Sequence, residues 1–255
     1  MKKTIEEVFT EGLPWFKRWF DSPHYHKLYA NRDEKEARNF IDELMIELQP
    51  EKRSSIIDVG CGAGRHSKYL ASKGFDVTGI DTASSSIQLA KSYQGALLRF
   101  FQHDMRTPFG KGRFDYVFNF FTSFGYFKSQ HEHHQVIKNM ADAIKPGGTV
   151  VIDYLNVAYA EDHLVEAEEK EIDGIAYHIT RWMDETHFFK KIVIDNISVK
   201  EPFEYVEQVA KFTRSYFRIM LERQDLKIEE VYGDYQLNDY DSKKSPRLIM
   251  IAKKA

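Results

Sequence analysis

The sequence predicts an α/β fold in which short buried strands alternate with helices around a mostly parallel sheet. Five apolar runs between residues 54 and 155 alternate with stretches of helical periodicity, which is typical of βαβ units. A glycine-rich turn separates the first run from a helix. Between about residues 157 and 212 the apolar runs follow one another without helices, which predicts a β-rich insertion.

The composition is that of an ordinary globular protein. The 255 residues include 36 Lys and Arg against 39 Asp and Glu, a net charge of −3, and 42% are hydrophobic. Such a chain can bury a core and is too apolar to be disordered. The balanced charge argues against a surface that coats nucleic acid or anionic lipid. A single cysteine, Cys61, excludes an internal disulfide.

The N-terminal residues and the hydropathy pattern predict a cytoplasmic protein with no membrane partner. Lys2 and Lys3 are not followed by an apolar run, so we expect no signal peptide. No stretch approaches the ~18 apolar residues that a membrane span needs. We expect a monomer or a homodimer.

Each element is predicted from its periodicity and its end signals. Residues 1–53 form a helical N-terminal cover, in which apolar positions at helical spacing over 33–50 end at Pro50. The next part of the chain, 54–156, holds strands over 55–59, 75–80, 97–103, 114–120 and 149–155 and helices near 65–73, 84–93 and 130–145.

The insertion over 157–212 begins with an acidic run. Residues 161–173 hold seven acids and one lysine, and Asp173-Gly174 then predicts a hairpin. The insertion strands are expected over 175–183, 187–195 and 203–212. Residues 213–255 return to the first domain, with a helix over 213–224 and strands over 227–235 and 247–254.

The glycine-rich turn is the most informative segment. Gly60, Gly62 and Gly64 stand at alternate positions between a strand and a helix. Glycines there permit positive φ and close approach of a ligand, and the N–H groups of the helix start favour an anion. A nicotinamide dinucleotide needs G-x-G-x-x-G, whereas position 65 is Arg. A tight turn without a ligand is the alternative.

Acidic residues follow three of the strands. Asp58 precedes the first glycine by two residues and suits an ammonium group better than a pyrophosphate. Asp81 ends the second strand, where a carboxylate can accept both ribose hydroxyls or simply cap the next helix. Asp104 and Met105 follow the third strand and could meet an adenine, unless they form a solvated loop. A nucleotide with an amino-acid end and no phosphate fits this pattern.

Together these residues resemble the class I S-adenosylmethionine-dependent methyltransferases over about residues 54–155 and the final strand pair. The resemblance implies a Rossmann-like, doubly wound sheet of seven strands with an antiparallel last strand, and S-adenosylmethionine as the cofactor. It implies that the glycines hold the methionine part, and that Cys61 packs at a common motif position. The implied cofactor residues are Asp58, Gly60, Cys61, Gly62, Gly64, Asp81, Thr82, Asp104, Met105, Asn119, Phe120, Tyr29 and Arg32.

Residues 114–127 resemble the fourth motif of small-molecule methyltransferases. Asn119 and Phe120 would lie beside the cofactor, and Ser123, Phe124 and Tyr126 at the acceptor mouth. The apolar residues of this segment must partly be core. The segment lacks the Asn/Asp-Pro-Pro-Tyr/Phe motif of many enzymes that methylate base amino groups.

No residue stands out as catalytic, because methyl transfer from a sulfonium is an in-line displacement that mainly needs positioning. A base is required only if the acceptor must lose a proton, and the weak candidates are Tyr126, His103, His178 and Tyr25. His131, His133 and His134 suggest a metal, but on a helix they point in different directions, so we expect a solvated helix start and no metal.

The aromatic segment 14–32 is expected to form a mobile helical cover that becomes ordered when the cofactor binds. Tyr25, Tyr29 or Arg32 would then meet the carboxylate of the cofactor. A permanently docked helix is the alternative.

The sequence therefore predicts methyl transfer from S-adenosylmethionine to a nitrogen or oxygen of a small-molecule acceptor, with the insertion on the acceptor side. An RNA or protein methyltransferase is disfavoured by the charge. A non-catalytic S-adenosylmethionine-binding protein remains an alternative.

Overall fold

The computed structural model describes residues 14–29, 34–195 and 203–254. The chain divides into two compact units. Unit 1 combines residues 1–32 with 165–209, and unit 2 combines 33–164 with 210–255. The N-terminal helices thus belong with the insertion strands, whereas the helix over 34–48 belongs with the α/β part.

Unit 2 contains the predicted seven-stranded sheet. Its strands are β1 (Ser55–Val59), β2 (Asp76–Asp81), β3 (Leu98–Gln102), β4 (Phe114–Asn119), β5 (Ile144–Leu155), β10 (Leu226–Tyr232) and β11 (Arg247–Lys254). They lie in the order β10-β11-β5-β4-β1-β2-β3. The five strands from β1 to β5 pair in parallel, and β11 is antiparallel to both β5 and β10. The fold class and the antiparallel last strand are confirmed.

Six helices of unit 2 are described, and all except the short helix over 157–162 bury apolar residues. They are α3 (Glu34–Leu48), α4 (Arg65–Ser72), α5 (Ser84–Lys91), α6 (Gln130–Ala143), α7 (Val157–Asp162) and α8 (Arg214–Glu222). In α3 the predicted stripe is buried, with Phe40, Ile41 and Leu44 in the same core cluster as Ile56 of β1. This burial explains why α3 belongs to unit 2.

Unit 1 is a four-stranded sheet with two short aromatic helices on it. The strands β6 (Ala167–Ile172), β7 (Ile175–Met183), β8 (His187–Asp195) and β9 (Phe203–Ala210) lie in that order. The helices α1 (Trp15–Phe20) and α2 (Pro23–Leu28) place Trp19 and Leu28 in one core cluster with Tyr177 and Ile192. The Asp173-Gly174 hairpin is confirmed, since both residues have positive φ, +50° and +72°, as a type I′ turn requires.

Two strands extend beyond the ranges that the sequence predicted. The acidic run contains β6, which is the edge strand of its sheet and pairs antiparallel with β7. Charged side chains are common on edge strands, because no further strand pairs with their outer side. The strand expected over 149–155 begins earlier, because β5 starts at Ile144 directly after α6. There the pairing of β5 with β4 jumps from Phe114↔Ile144 to Tyr116↔Thr149, so residues 145–148 interrupt the regular register.

Among the residues described, no helix is both long enough and apolar enough to cross a membrane.

Candidate functional site

The predicted site residues of unit 2 cluster at one edge of the sheet. Asp58 pairs with Gly79 of β2 and with Phe118 of β4, so the carboxyl ends of these three strands are adjacent. The glycine turn follows β1 there, and Asp81 and Asn119 are the last residues of β2 and β4. In a doubly wound sheet this edge is where ligands bind.

The three turn glycines have different reasons to be glycine, although all have positive φ, +79°, +54° and +82°. A Cβ on Gly60 would lie 2.6 Å from Cβ of Ser123, and one on Gly64 would lie 2.5 Å from the ring of Phe100. A Cβ on Gly62 would meet no atom within 4 Å. The protein's own packing therefore requires Gly60 and Gly64, while Gly62 leaves open space at the turn.

Asp81 joins the turn to the end of β2. Its Oδ2 accepts the N–H of Gly62 at 2.9 Å, and its Oδ1 accepts the N–H of Ala83 at 2.8 Å before α5. The carboxylate thus links the backbone of the glycine turn to the start of α5. The neighbouring Thr82 is half-buried, and its carbonyl accepts from the side chain of Gln102 at 3.1 Å.

Asp58 is a buried carboxylate, 1% exposed. Its Oδ2 accepts a 2.5 Å hydrogen bond from Ser67 of α4, a partner that the sequence analysis missed. Burial raises the pKa of Asp58 to about 6, and the Ser67 hydrogen bond opposes that rise. A cationic group near Asp58 would favour its ionised form.

Cys61 packs at the motif position as expected. It is 7% exposed, and its Sγ lies 2.9 Å from where a Cβ on Gly79 would stand. Burial, together with the charges of Asp58 and Asp81, raises the pKa of the thiol well above its ordinary value. The thiol is protonated and inert, which agrees with a packing role.

Asp104 lies after β3 and forms a two-pronged ion pair with Arg106. Arg106 donates from Nε at 3.0 Å and from Nη2 at 2.7 Å to Asp104, and from Nη1 at 2.6 Å to Glu132. The sequence analysis did not anticipate this clamp. The Cε of Met105 lies 3.4 Å from where a Cβ on Gly60 would stand, so Met105 borders the glycine turn. Contact of Asp104 and Met105 with an adenine stays a prediction.

Asn119 and Phe120 end β4 within the protein interior. The Nδ2 of Asn119 donates to the carbonyl of Val59 at 2.7 Å, and its buried Oδ1 has no hydrogen-bond partner among the residues described. Phe120 is 2% exposed and packs against Phe40 with ring centroids 5.3 Å apart. Its contact with a cofactor stays a prediction, while its core role is clear.

The loop after β4 is held in a strained conformation by a buried charge pair. Phe121 and Thr122 have φ of +59° and +58°, which side chains of this kind rarely adopt. Asp153, fully buried, accepts the N–H of Phe121 at 2.7 Å, and Arg247 donates to Asp153 at 2.7 Å and to Thr122 Oγ1 at 3.0 Å. Asp153 is an acidic residue within an otherwise apolar stretch of β5, and this is the feature of the sequence that could have indicated the network.

The residues expected at an acceptor mouth occupy different environments. Ser123 Oγ donates to the carbonyl of Phe120 at 2.8 Å and lies 3.3 Å from that of Gly60, so it packs directly on the turn. Tyr126 is half-buried. Phe124 is fully buried against Phe212 and Phe217 and does not line an open surface.

The remaining base candidates have structural partners. His103 contacts Thr107 Oγ1 at 3.0 Å. His178 belongs to unit 1 and pairs with Glu169 at 3.1 Å. Tyr25 packs within the aromatic cluster of unit 1, 4.9 Å from Tyr29 between ring centroids.

Tyr29 and Arg32 are the other two candidates for binding the carboxylate of the cofactor, and the structure describes only Tyr29. The hydroxyl of Tyr29 bonds to Glu207 at 3.3 Å and to Lys190. Arg32 lies outside the described residues.

The histidine run opens α6, as expected, but one of its members is buried. Nδ1 of His133 lies 2.9 Å from the carbonyl of Ser129, and Nε2 accepts the N–H of Phe127 at 3.3 Å. The ring therefore links the end of the β4 loop to the helix. The described part of the chain holds no group of three His, Cys, Asp or Glu side chains placed for a metal.

Sequence comparison identifies the domain that carries this site. Residues 56–148 match the sequence model of a family described as a methyltransferase domain. The chain carries a methyltransferase domain. Over 249 residues the methyltransferase is 23% identical to a protein of Geobacillus sp. (strain WCH70) described as a methyltransferase, covering 94% of this chain and 98% of that protein.

Two further similarities concern the fold and part of the sequence. A crystal structure of an S-adenosylmethionine-dependent methyltransferase from Clostridium acetobutylicum ATCC 824 has a TM-score of 0.76 and 18% identity, and covers 91% of this chain and 96% of that chain. The dTDP-3-amino-3,4,6-trideoxy-alpha-D-glucopyranose N,N-dimethyltransferase of Streptomyces venezuelae is 32% identical over 133 residues, 51% of this chain and 54% of that protein. This chain therefore spans about half of the latter.

The cofactor of this methyltransferase is S-adenosylmethionine, and the residues at the strand edge fit it. Gly62 leaves room for a ligand against the backbone, and the carboxylate of Asp81 beside it suits ribose hydroxyls. Asp58 supplies a negative charge for an ammonium group.

Proposed function

We propose that this methyltransferase moves the methyl group of S-adenosylmethionine to a nitrogen or oxygen of a small-molecule acceptor. The observation that carries the proposal is the open face of Gly62, whose N–H donates to the carboxylate of Asp81. The loop after β4 presses Ser123 against the same turn. A methyl donor and an acceptor bound beside this loop would be next to each other.

A small acceptor is favoured by charge and by one relative. The net charge of −3 does not suit the phosphate backbone of a nucleic acid. The Streptomyces venezuelae relative is named for dimethylation of an amino sugar linked to a nucleotide. A primary or secondary amine of a small metabolite is therefore the first acceptor class to test.

When bound, S-adenosylmethionine supplies a sulfonium whose methyl group is already activated for displacement. The chain's own task is to bind and orient, which supplies most of the acceleration for an in-line transfer. Asp81 would bind the ribose hydroxyls, and Asp58 would lie near the ammonium. Asp153 and Arg247 fix the loop that carries Ser123 and Tyr126.

A general base is not required for every acceptor. An amine that arrives unprotonated attacks with its own lone pair, and its proton is lost to water afterwards. For a hydroxyl acceptor, Tyr126 is the candidate within unit 2, because it is half-buried in the loop that follows β4.

Transfer of tritium from methyl-labelled S-adenosylmethionine tests the proposal. The purified protein is incubated with cell metabolites, with RNA and with protein in separate reactions, and amino sugar nucleotides form an additional panel. We expect label in the metabolite fraction only, and markedly less of it with the Asp81→Ala variant. Label in RNA or protein would instead support that acceptor class. Tight cofactor binding without transfer to any fraction would favour a non-catalytic binding protein.

A further inference from the structure

Arg65 stands beside the glycine turn with its side chain held against an aromatic ring. It is the first residue of α4 and follows Gly64 directly. Its guanidinium carbon lies 4.7 Å from the centroid of the Phe121 ring, which is a favourable cation–π distance. The same ring stacks on Tyr235 at 5.4 Å and 20°. Phe121 therefore acts as a platform that restricts where the positive charge of Arg65 can be.

The platform itself is fixed through its backbone. Phe121 has a φ of +59°, and its N–H donates to the fully buried Asp153 at 2.7 Å. The other oxygen of Asp153 is bound by Arg247, and Tyr235 donates to Asp153 Oδ2 at 3.1 Å. Strain that is maintained by a buried network is typical of functional positions. In this loop the strained backbone places the ring of Phe121 against the side chain of Arg65, the first residue after the glycines.

The charges around the turn match those of an amino acid. Burial raises the pKa of Asp58, whereas Ser67 and the charge of Arg65 act in the opposite direction, so the two side chains lie within electrostatic reach of each other. The methionine part of S-adenosylmethionine carries one ammonium and one carboxylate. Asp58 suits the ammonium, and a guanidinium is the side chain best suited to pair with a carboxylate through two hydrogen bonds.

We propose that Arg65 binds the carboxylate of the cofactor's methionine part, and that Phe121 positions its guanidinium for this contact. The proposal rests on the S-adenosylmethionine site described above. It assigns to unit 2 a contact that the sequence analysis assigned to Tyr25, Tyr29 or Arg32.

The test compares two ligands that differ only in the carboxylate. S-Adenosylhomocysteine carries it, and S-adenosyl-3-thiopropylamine keeps the ammonium but lacks it. Isothermal titration calorimetry measures both on the wild type and on Arg65→Met. We expect the variant to bind S-adenosylhomocysteine at least about tenfold more weakly, because a charge-assisted pair is lost. Binding of the amine should change less than about twofold, since Arg65 has no partner group in it.

Three variants sharpen the result. Arg65→Lys keeps the charge without the planar fork, so an intermediate affinity for S-adenosylhomocysteine is expected. Phe121→Leu removes the platform and should weaken S-adenosylhomocysteine selectively. Lys68→Met is the matched control, since Lys68 lies on the same helix and pairs with the exposed Glu34 at 3.2 Å. Thermal unfolding of each variant verifies that it is folded.

Equal affinity of Arg65→Met and wild type for S-adenosylhomocysteine would overturn the proposal and return the carboxylate to the N-terminal segment. Equal weakening of both ligands would also overturn it, because Arg65 would then act on the shape of the turn. A wild-type protein that binds neither ligand would instead contradict the proposed function itself.

Discussion

Ser67 and Asp58 are both buried, and the Ser67 hydroxyl lies 2.5 Å from Asp58 Oδ2 at the end of β1. This hydrogen bond connects α4 to β1, the two elements on either side of the glycine turn. It is also a hydrogen bond to a carboxylate that burial makes costly to ionise. The stability of the free protein and its affinity for a cationic ligand therefore depend on the same group.

Asp58→Asn should change how the free energy of unfolding varies with pH. Burial raises the pKa of Asp58 from 3.8 to about 6 in the folded state, so the folded protein binds more protons than the unfolded chain between these values. The contribution of Asp58 to stability is therefore complete below pH 4 and is lost as pH rises to about 6. It amounts to roughly 3 kcal/mol. Urea unfolding from pH 3.5 to 7.5 should show this loss in the wild type and not in the variant. Parallel pH profiles of the two proteins would contradict the raised pKa.

Asp81→Ala should weaken S-adenosylhomocysteine binding by ~1–3 kcal/mol, because ribose hydroxyls lose a charged acceptor. The turn also loses the acceptor of the Gly62 N–H. Calorimetry measures the effect, with Asp76→Ala as the control at the other end of β2, where Asp76 forms an exposed ion pair with Arg99. NAD and NADP should bind neither protein. Wild-type affinity in Asp81→Ala would mean that another residue holds the ribose.

Arg247→Met should destabilise the fold strongly, because it leaves the carboxylate of Asp153 buried without its counter-charge. The expected loss is about 3–5 kcal/mol in urea unfolding. Arg99→Met is the comparison, since its exposed pair with Asp76 should contribute only about 0–1 kcal/mol. Adding Asp153→Asn to Arg247→Met should recover part of the loss. Similar losses in the two arginine variants would show that the buried pair has no special role.

Hydrogen exchange should find α1 and α2 equally protected with and without S-adenosylhomocysteine. Trp19 is fully buried, its Nε1 donates to Glu207 at 2.5 Å, and its ring lies 4.6 Å from that of Tyr205. Such packing within unit 1 favours a docked segment over the mobile cover that the aromatic sequence suggested. Protection of amides 15–28 that rises only with ligand would restore the mobile cover.

The features that the sequence predicted well are those encoded by neighbouring residues. Periodicity predicts α3 with its buried Phe40 and Leu44, because a helix face repeats every 3.6 residues. Asp173-Gly174 predicts its hairpin because both positions need positive φ. The spacing of the turn glycines disfavours a dinucleotide site without knowledge of any contact.

The sequence by itself thus determined the fold class, the strand edge and the residues that gather there. Only the tertiary structure decided which distant groups meet: Asp153 with Arg247 across 94 residues, Trp19 with Glu207 across 188, and Arg65 with Phe121. The physical reason is that a local pattern sets φ and periodicity, whereas the partner of a buried charge or ring depends on which surfaces pack. Burial then makes each such pairing energetically decisive, and no local pattern records it.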